Sequence, residues 1–158
     1  MLFRSQKRKI KWVIYLFLIM LHFSVLSAQA QYGGGTGEPN DPYQIATVEE
    51  LMLLGDSPED YDKNFILTAD IDLSGFYYYT ALIAPDMNAL DDYFQGNPFS
   101  CVFDGNGHTI SHLTVIGGSH LGLFGLLGSG AEVRALGVVD VNIKGSGEYV
   151  GGDRKSVV

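Results

Sequence analysis

Cysteine, basic charge and long apolar runs are all scarce in this chain. Cys101 is the one cysteine among 158 residues, so no internal disulfide can form and stability must come from packing. It lies too far from the amino terminus to carry a lipid anchor and reads as a small buried hydrophobe. Ten Lys and Arg face eighteen Asp and Glu, and five of those ten fall within the first thirty residues, which hold no acid. Without that segment the net charge is −13. Nucleic acid and anionic lipid both require a basic footprint, which such a chain lacks, and a solvated acidic surface is the simplest meaning of the charge. Catalytic and cofactor motifs are missing too. No dinucleotide fingerprint or Walker loop is present, no His-Glu-x-x-His and no Gly-x-Ser-x-Gly elbow.

The longest apolar run, Trp12 to Leu26, is shorter than the ~20 residues a membrane span needs. It follows the basic residues Arg4, Lys7, Arg8, Lys9 and Lys11 and precedes Ala28-Gln29-Ala30, a small-x-small cleavage pattern. Residues 1–30 therefore read as a secretory signal peptide, with Gln31 the expected new amino terminus and an uncleaved anchor the alternative. The expected location is secreted or cell surface, with no membrane span after cleavage. At the other end, Asp153-Arg154-Lys155-Ser156-Val157-Val158 departs from every earlier pattern and can be encoded by the start of a common sequencing-library adaptor. Residues 153–158 are thus expected to be an artefact, and the native chain to continue beyond Gly152.

Between these ends, residues 31–60 form a turn-rich leader and a capping helix. Tyr32 to Pro42 is dense in Gly, Pro, Asn and Asp, and Tyr43-Gln44-Ile45 suits a short strand. Thr47 and Glu50 have capping-box spacing, Leu51, Met52 and Leu54 supply an apolar face, and Gly55 is the expected stop. From Phe65 the pattern turns to strands. Phe65 to Leu73 reads as a strand pair, and Phe76 to Ile83 as an aromatic strand followed by a polar insertion, Met87 to Pro98. Cys101 to Ile110 follows, with Asn106-Gly107 the tight turn of a hairpin. His112 to Ile116, Leu121 to Leu127 and Ala131 to Ile143 are further strand segments.

Ile110 and Val133, Leu113 and Leu136, and Val115 and Val138 are each 23 residues apart. That is about one coil of a stacked strand repeat, in which no coil buries its face alone. Residues 61–152 are therefore expected to form the first coils of a mainly β, right-handed parallel β-helix-like solenoid, with a β-sandwich as the alternative.

Phe103 to Leu113, Leu121-Gly122-Leu123-Phe124-Gly125 and Val133 to Val138 resemble the lead-in to GLUG-motif repeats. Tyr149-Val150-Gly151-Gly152 resembles the start of the first full copy, and Phe65 to Leu73 the segment that precedes such repeats. The resemblance spans residues 39–152. It implies a β-solenoid in an exported bacterial surface protein, adhesin-like or with a peptidase domain elsewhere. It carries no catalytic residue onto this chain.

Among candidate sites, Asp70 and Asp72 share one face of a strand and could bind Ca²⁺, or act as an acid pair on a sugar. Two acids on a solvated face, with Ile71 and Leu73 inside, is the plainer alternative. Phe76, Tyr77, Tyr78 and Tyr79 place four aromatics in a row; alternate rings would be exposed for carbohydrate recognition, or all would pack over the solenoid end. His108 and His112 would lie about 13 Å apart on a strand, too far to share a metal. No other cofactor is expected. The expected function is structural or adhesive, with an extracellular polysaccharide or cell-surface ligand as partner. A β-helical polysaccharide-cleaving enzyme, or a peptidase with its catalytic domain downstream, is the alternative.

Overall fold

The computed structural model describes residues 31–88 and 93–151; the expected leader and residues 153–158 lie outside them. Nine short strands, one α-helix and one 3-10 turn (Pro58–Asp60) make up the regular structure of the described residues: β1 (Tyr43–Ile45), α1 (Val48–Asp56), β2 (Phe65–Leu67), β3 (Ile71–Asp72), β4 (Val102–Asp104), β5 (Thr109–Ser111), β6 (Thr114–Gly117), β7 (Glu132–Arg134), β8 (Gly137–Val139) and β9 (Asn142–Gly145).

Helix α1 begins where the capping box places it. The Thr47 side chain accepts the Glu50 N–H, and the Glu50 carboxylate returns to the Thr47 N–H. Leu51 and Leu54 are fully buried and Met52 packs beside them. Gly55 is not the stop. The helix runs on to Asp56, and Gly55 serves instead as a close contact, since a Cβ there would sit 2.2 Å from the Leu82 carbonyl oxygen.

Every ladder among the named strands is parallel. The sheets run β1-β2-β4-β7, β3-β5-β8 and β6-β9, each in chain order. An antiparallel sandwich is therefore ruled out for the described residues. From β2 onward consecutive strands enter different sheets, so Phe65 to Leu73 is not a pair: β2 joins one sheet and β3 another. Likewise Asn106-Gly107, with φ of 52° and 80°, turns a corner between sheets and closes no hairpin. Phe76 to Ile83 and Leu121 to Leu127 are not continuous strands. They touch the ladders through single bridges, Tyr78 to Val115, Ile83 to Phe124, Leu121 to Val150 and Phe99 to Leu127.

The register also differs from the 23-residue spacing. Ile110 lies beside Val138, and Val115 beside Ile143, a step of 28 residues. The physical reason is a shorter periodicity inside each layer. Val133, Leu136, Val138, Val141 and Ile143 repeat the same three-then-two spacing every five residues. A shift of one corner therefore fits the apolar pattern as well as the true pairing does. The preceding layer is longer, with Ile71 beside Ile110, because it carries the polar insertion.

Buried side chains stack in columns where the ladders superimpose them. Phe65 and Phe103 share a register and, with Phe99 and Phe124, make an aromatic cluster with ring centroids 5.3–6.5 Å apart. Ile71 and Ile110 form a second column and Val115 a third, all almost fully buried. In the last layer Val133, Val138 and Ile143 are half-buried. Cys101 is half-buried instead of buried; it lies just before β4, whose inward residue is Phe103, and its thiol meets Asn64 Oδ1 at 3.3 Å.

Candidate functional site: an outward aromatic face

Tyr78 is the hinge of the aromatic row. Its N–H donates to the Thr114 carbonyl and its carbonyl accepts the Ile116 N–H, which ties the row to β6. Tyr78 points inward, and burial raises the pKa of its hydroxyl, which has no hydrogen-bond partner. Alternation then turns Tyr77 and Tyr79 outward, 69% and 77% exposed, while Phe76 is 39% exposed. Exposure alternates only around the Tyr78 bridge; Phe76 and Tyr77 are neighbours and both exposed, because only Tyr78 is held in a strand-like pairing.

The bridge sets Tyr77 beside Thr114 and Tyr79 beside Ile116, and the β6–β9 register continues these rows to Asn142 and Lys144. Adjacent members of a row lie about 4.8 Å apart, and the two rows about 6.6 Å. The result is an outward face of two rows and three layers, with Val115 buried beneath it. No carboxylate occupies any of its six positions. Among the described residues Lys63 pairs with Asp62, and Arg134 with Asp104 and Glu132; Lys144 has no ion pair. The sequence shows the aromatic row, but its neighbours Thr114, Ile116, Asn142 and Lys144 come from two other layers and become visible only with the register.

Asp70 and Asp72 are both exposed, with Ile71 and Leu73 buried between and after them. Each carboxylate has its own partners. Asp70 accepts the Thr109 N–H at 2.8 Å and lies 3.3 Å from His108 Nδ1; Asp72 accepts the Ser74 N–H at 2.9 Å and lies 2.8 Å from His112 Nδ1. The backbone donors first, and then the imidazoles, lower both pKa values. His108 and His112 are thus drawn to separate aspartates. Among the described residues no group of three His, Cys, Asp or Glu is placed to hold a metal ion.

Sequence reasoning missed one polar pair. Asp86 Oδ2 and His120 Nδ1 meet at 2.9 Å, with both residues buried. His120 also stacks on Tyr149, ring centroids 4.8 Å apart at 16°, and meets Phe94 edge-on. No feature of the sequence marks the pair, because its two residues come from different layers.

Two known proteins are similar to this chain. Over 120 residues it is 30% identical to Halomucin of Haloquadratum walsbyi, covering 72% of this chain and 1% of that protein. Over 146 residues it is 27% identical to a protein of Evansella cellulosilytica provisionally named a Gly-rich membrane protein, covering 88% of this chain and 16% of that protein. The chain thus spans a small fraction of the length of either relative. No family model matches it, and no solved structure does. Among the described residues no helix is long and apolar enough to cross a membrane.

Proposed function

We propose that this chain is the capped amino-terminal part of an exported, surface-associated β-solenoid of the GLUG-repeat kind, right-handed, with a structural or adhesive role. The observation that carries this reading is the order of the three parallel sheets, which successive layers extend in chain sequence: β1, then β2 and β3, then β4 to β6, then β7 to β9. Helix α1 covers the first layer, as a cap on a stacked repeat does. The half-buried inward residues of β7, β8 and β9 offer the face on which a further coil would stack. The much greater length of both relatives agrees with a longer native protein. The basic and apolar leader supports export, and the motifs of a hydrolase or peptidase are missing from this stretch.

Mass spectrometry of the protein recovered from its native cells, combined with protease shaving of intact cells, tests this reading. A mature chain that begins at Gln31 and is cut by external protease is the expected outcome. A cytoplasmic protein that retains residues 1–30 would overturn it.

A further inference from the structure

We infer that the outward face of Tyr77, Tyr79, Thr114, Ile116, Asn142 and Lys144 binds a neutral polysaccharide. This deepens the adhesive reading above and rests on it. Three observations select the ligand class. The first is shape: two tyrosine rings project from alternate positions of one segment, over a ladder that fixes their spacing. A tyrosine ring offers an apolar face and a polar tip, which suits the C–H face and the hydroxyl rim of a pyranose.

The second is the chemistry around the rings. Tyr79 continues into Ile116, which is 46% exposed, whereas Tyr77 continues into Thr114 and Asn142, which carry donors and acceptors without charge. A row of Tyr79 and Ile116 that ends in Lys144, beside an uncharged hydrogen-bonding row, matches a ring polymer with one greasy face and hydroxyls along its edge. A protein partner would need a larger and more apolar patch.

The third is charge. The chain without its leader carries −13, so a polyanion such as a uronate polymer is repelled at long range. A cationic polymer would need carboxylates on the face, and its six positions carry none. Lys144, free of any ion pair among the described residues, supplies donors to a hydroxyl. A neutral chain of sugar rings is the class that remains.

Affinity electrophoresis of the secreted chain tests this, in native gels cast with soluble β-glucan, polygalacturonate or chitosan. Retardation by β-glucan alone is expected. Tyr77→Ala with Tyr79→Ala should weaken it about tenfold or more, as loss of exposed aromatic anchors does, with an unchanged thermal midpoint because neither ring is buried. Lys144→Gln keeps a donor and should change binding less than about twofold. Retardation by polygalacturonate that is lost in Lys144→Gln would overturn the neutral assignment. Free migration in all three gels, or undiminished retardation of the double variant, would overturn the site. Neither result bears on export or solenoid stacking, which the Gln31 terminus and external proteolysis report separately.

Discussion

Asp86 Oδ2 lies 2.9 Å from His120 Nδ1, and the two side chains are 3% and 6% exposed. The contact is close but lacks the angle of a directed hydrogen bond. The other Asp86 oxygen accepts the Asn88 and Gln95 N–H groups, at 3.1 and 2.9 Å. One carboxylate thus ties both arms of the polar insertion to a corner of the next layer.

The pH dependence of this tie has a definite sign. Burial pushes the Asp86 carboxyl upward, but the Gln95 and Asn88 N–H groups and the His120 charge together outweigh it and hold the pKa below 3.8. A lowered folded-state pKa means stability that is present above the unfolded value and lost as pH falls through the folded one. Protection of the Asn88 and Gln95 amides against hydrogen exchange, relative to the unfolded chain, should therefore persist down to about pH 4 and fall below it. In Asp86→Ala these two amides should lose protection at every pH, with a stability loss on the order of 3 kcal/mol, because a buried imidazole is left without its partner. Unchanged exchange in Asp86→Ala would show that the insertion is held by other contacts.

The register makes a sharper prediction. Ser111 lies beside Val139 in the parallel ladder, whereas a 23-residue repeat would put Arg134 there. Neighbouring strands are about 4.8 Å apart, within the Cα range a disulfide accepts. In a Cys101→Ser background, Ser111→Cys with Val139→Cys should oxidise to a disulfide, seen as loss of both free thiols. Ser111→Cys with Arg134→Cys should keep its thiols. The opposite pattern would restore the shorter repeat.

Local chemistry was the legible part of this fold. The capping box of α1 and strand β1 depend on neighbours in sequence, and each stands where the residues place it; Asn106-Gly107 takes the expected positive φ but turns a corner instead of closing a hairpin. Pairing depends on which layer lies below, and a five-residue internal period leaves that ambiguous. The Phe65 to Leu73 segment shows the same limit: its apolar alternation is real, but Thr68 to Asp70 turn a corner that the pattern does not mark. Of the candidate site, Tyr77 and Tyr79 could be read from the chain, and their partners on β6 and β9 could not.

Gly55→Ala separates helix propensity from packing. Alanine is favoured over glycine within a helix by about 1 kcal/mol, so propensity alone predicts stabilisation. The added Cβ would lie 2.2 Å from the Leu82 carbonyl oxygen, a backbone atom that cannot swing aside. Overpacking of this kind costs roughly 1–3 kcal/mol, so the net effect should be destabilising and visible as a lower urea midpoint. A higher midpoint would mean that α1 is free to move away from the Leu82 segment.

Two buried tyrosines should respond oppositely to loss of the hydroxyl. Tyr61 Oη donates to the Gly55 carbonyl at 2.8 Å and accepts the Ala84 N–H at 3.0 Å, joining the end of α1 to the segment before the insertion. Tyr61→Phe leaves a donor and an acceptor buried without partners, at a cost of about 2 kcal/mol. The Tyr78 hydroxyl is buried with no partner at all, so Tyr78→Phe removes an unmet polar group and keeps the ring packed against the core. It should be neutral or stabilising, because the desolvation cost of that hydroxyl disappears with it. Denaturant melts of the two variants decide the matter. Equal losses would show that Tyr78 finds a partner in solution, and the inward anchor of the aromatic face would then be a polar one.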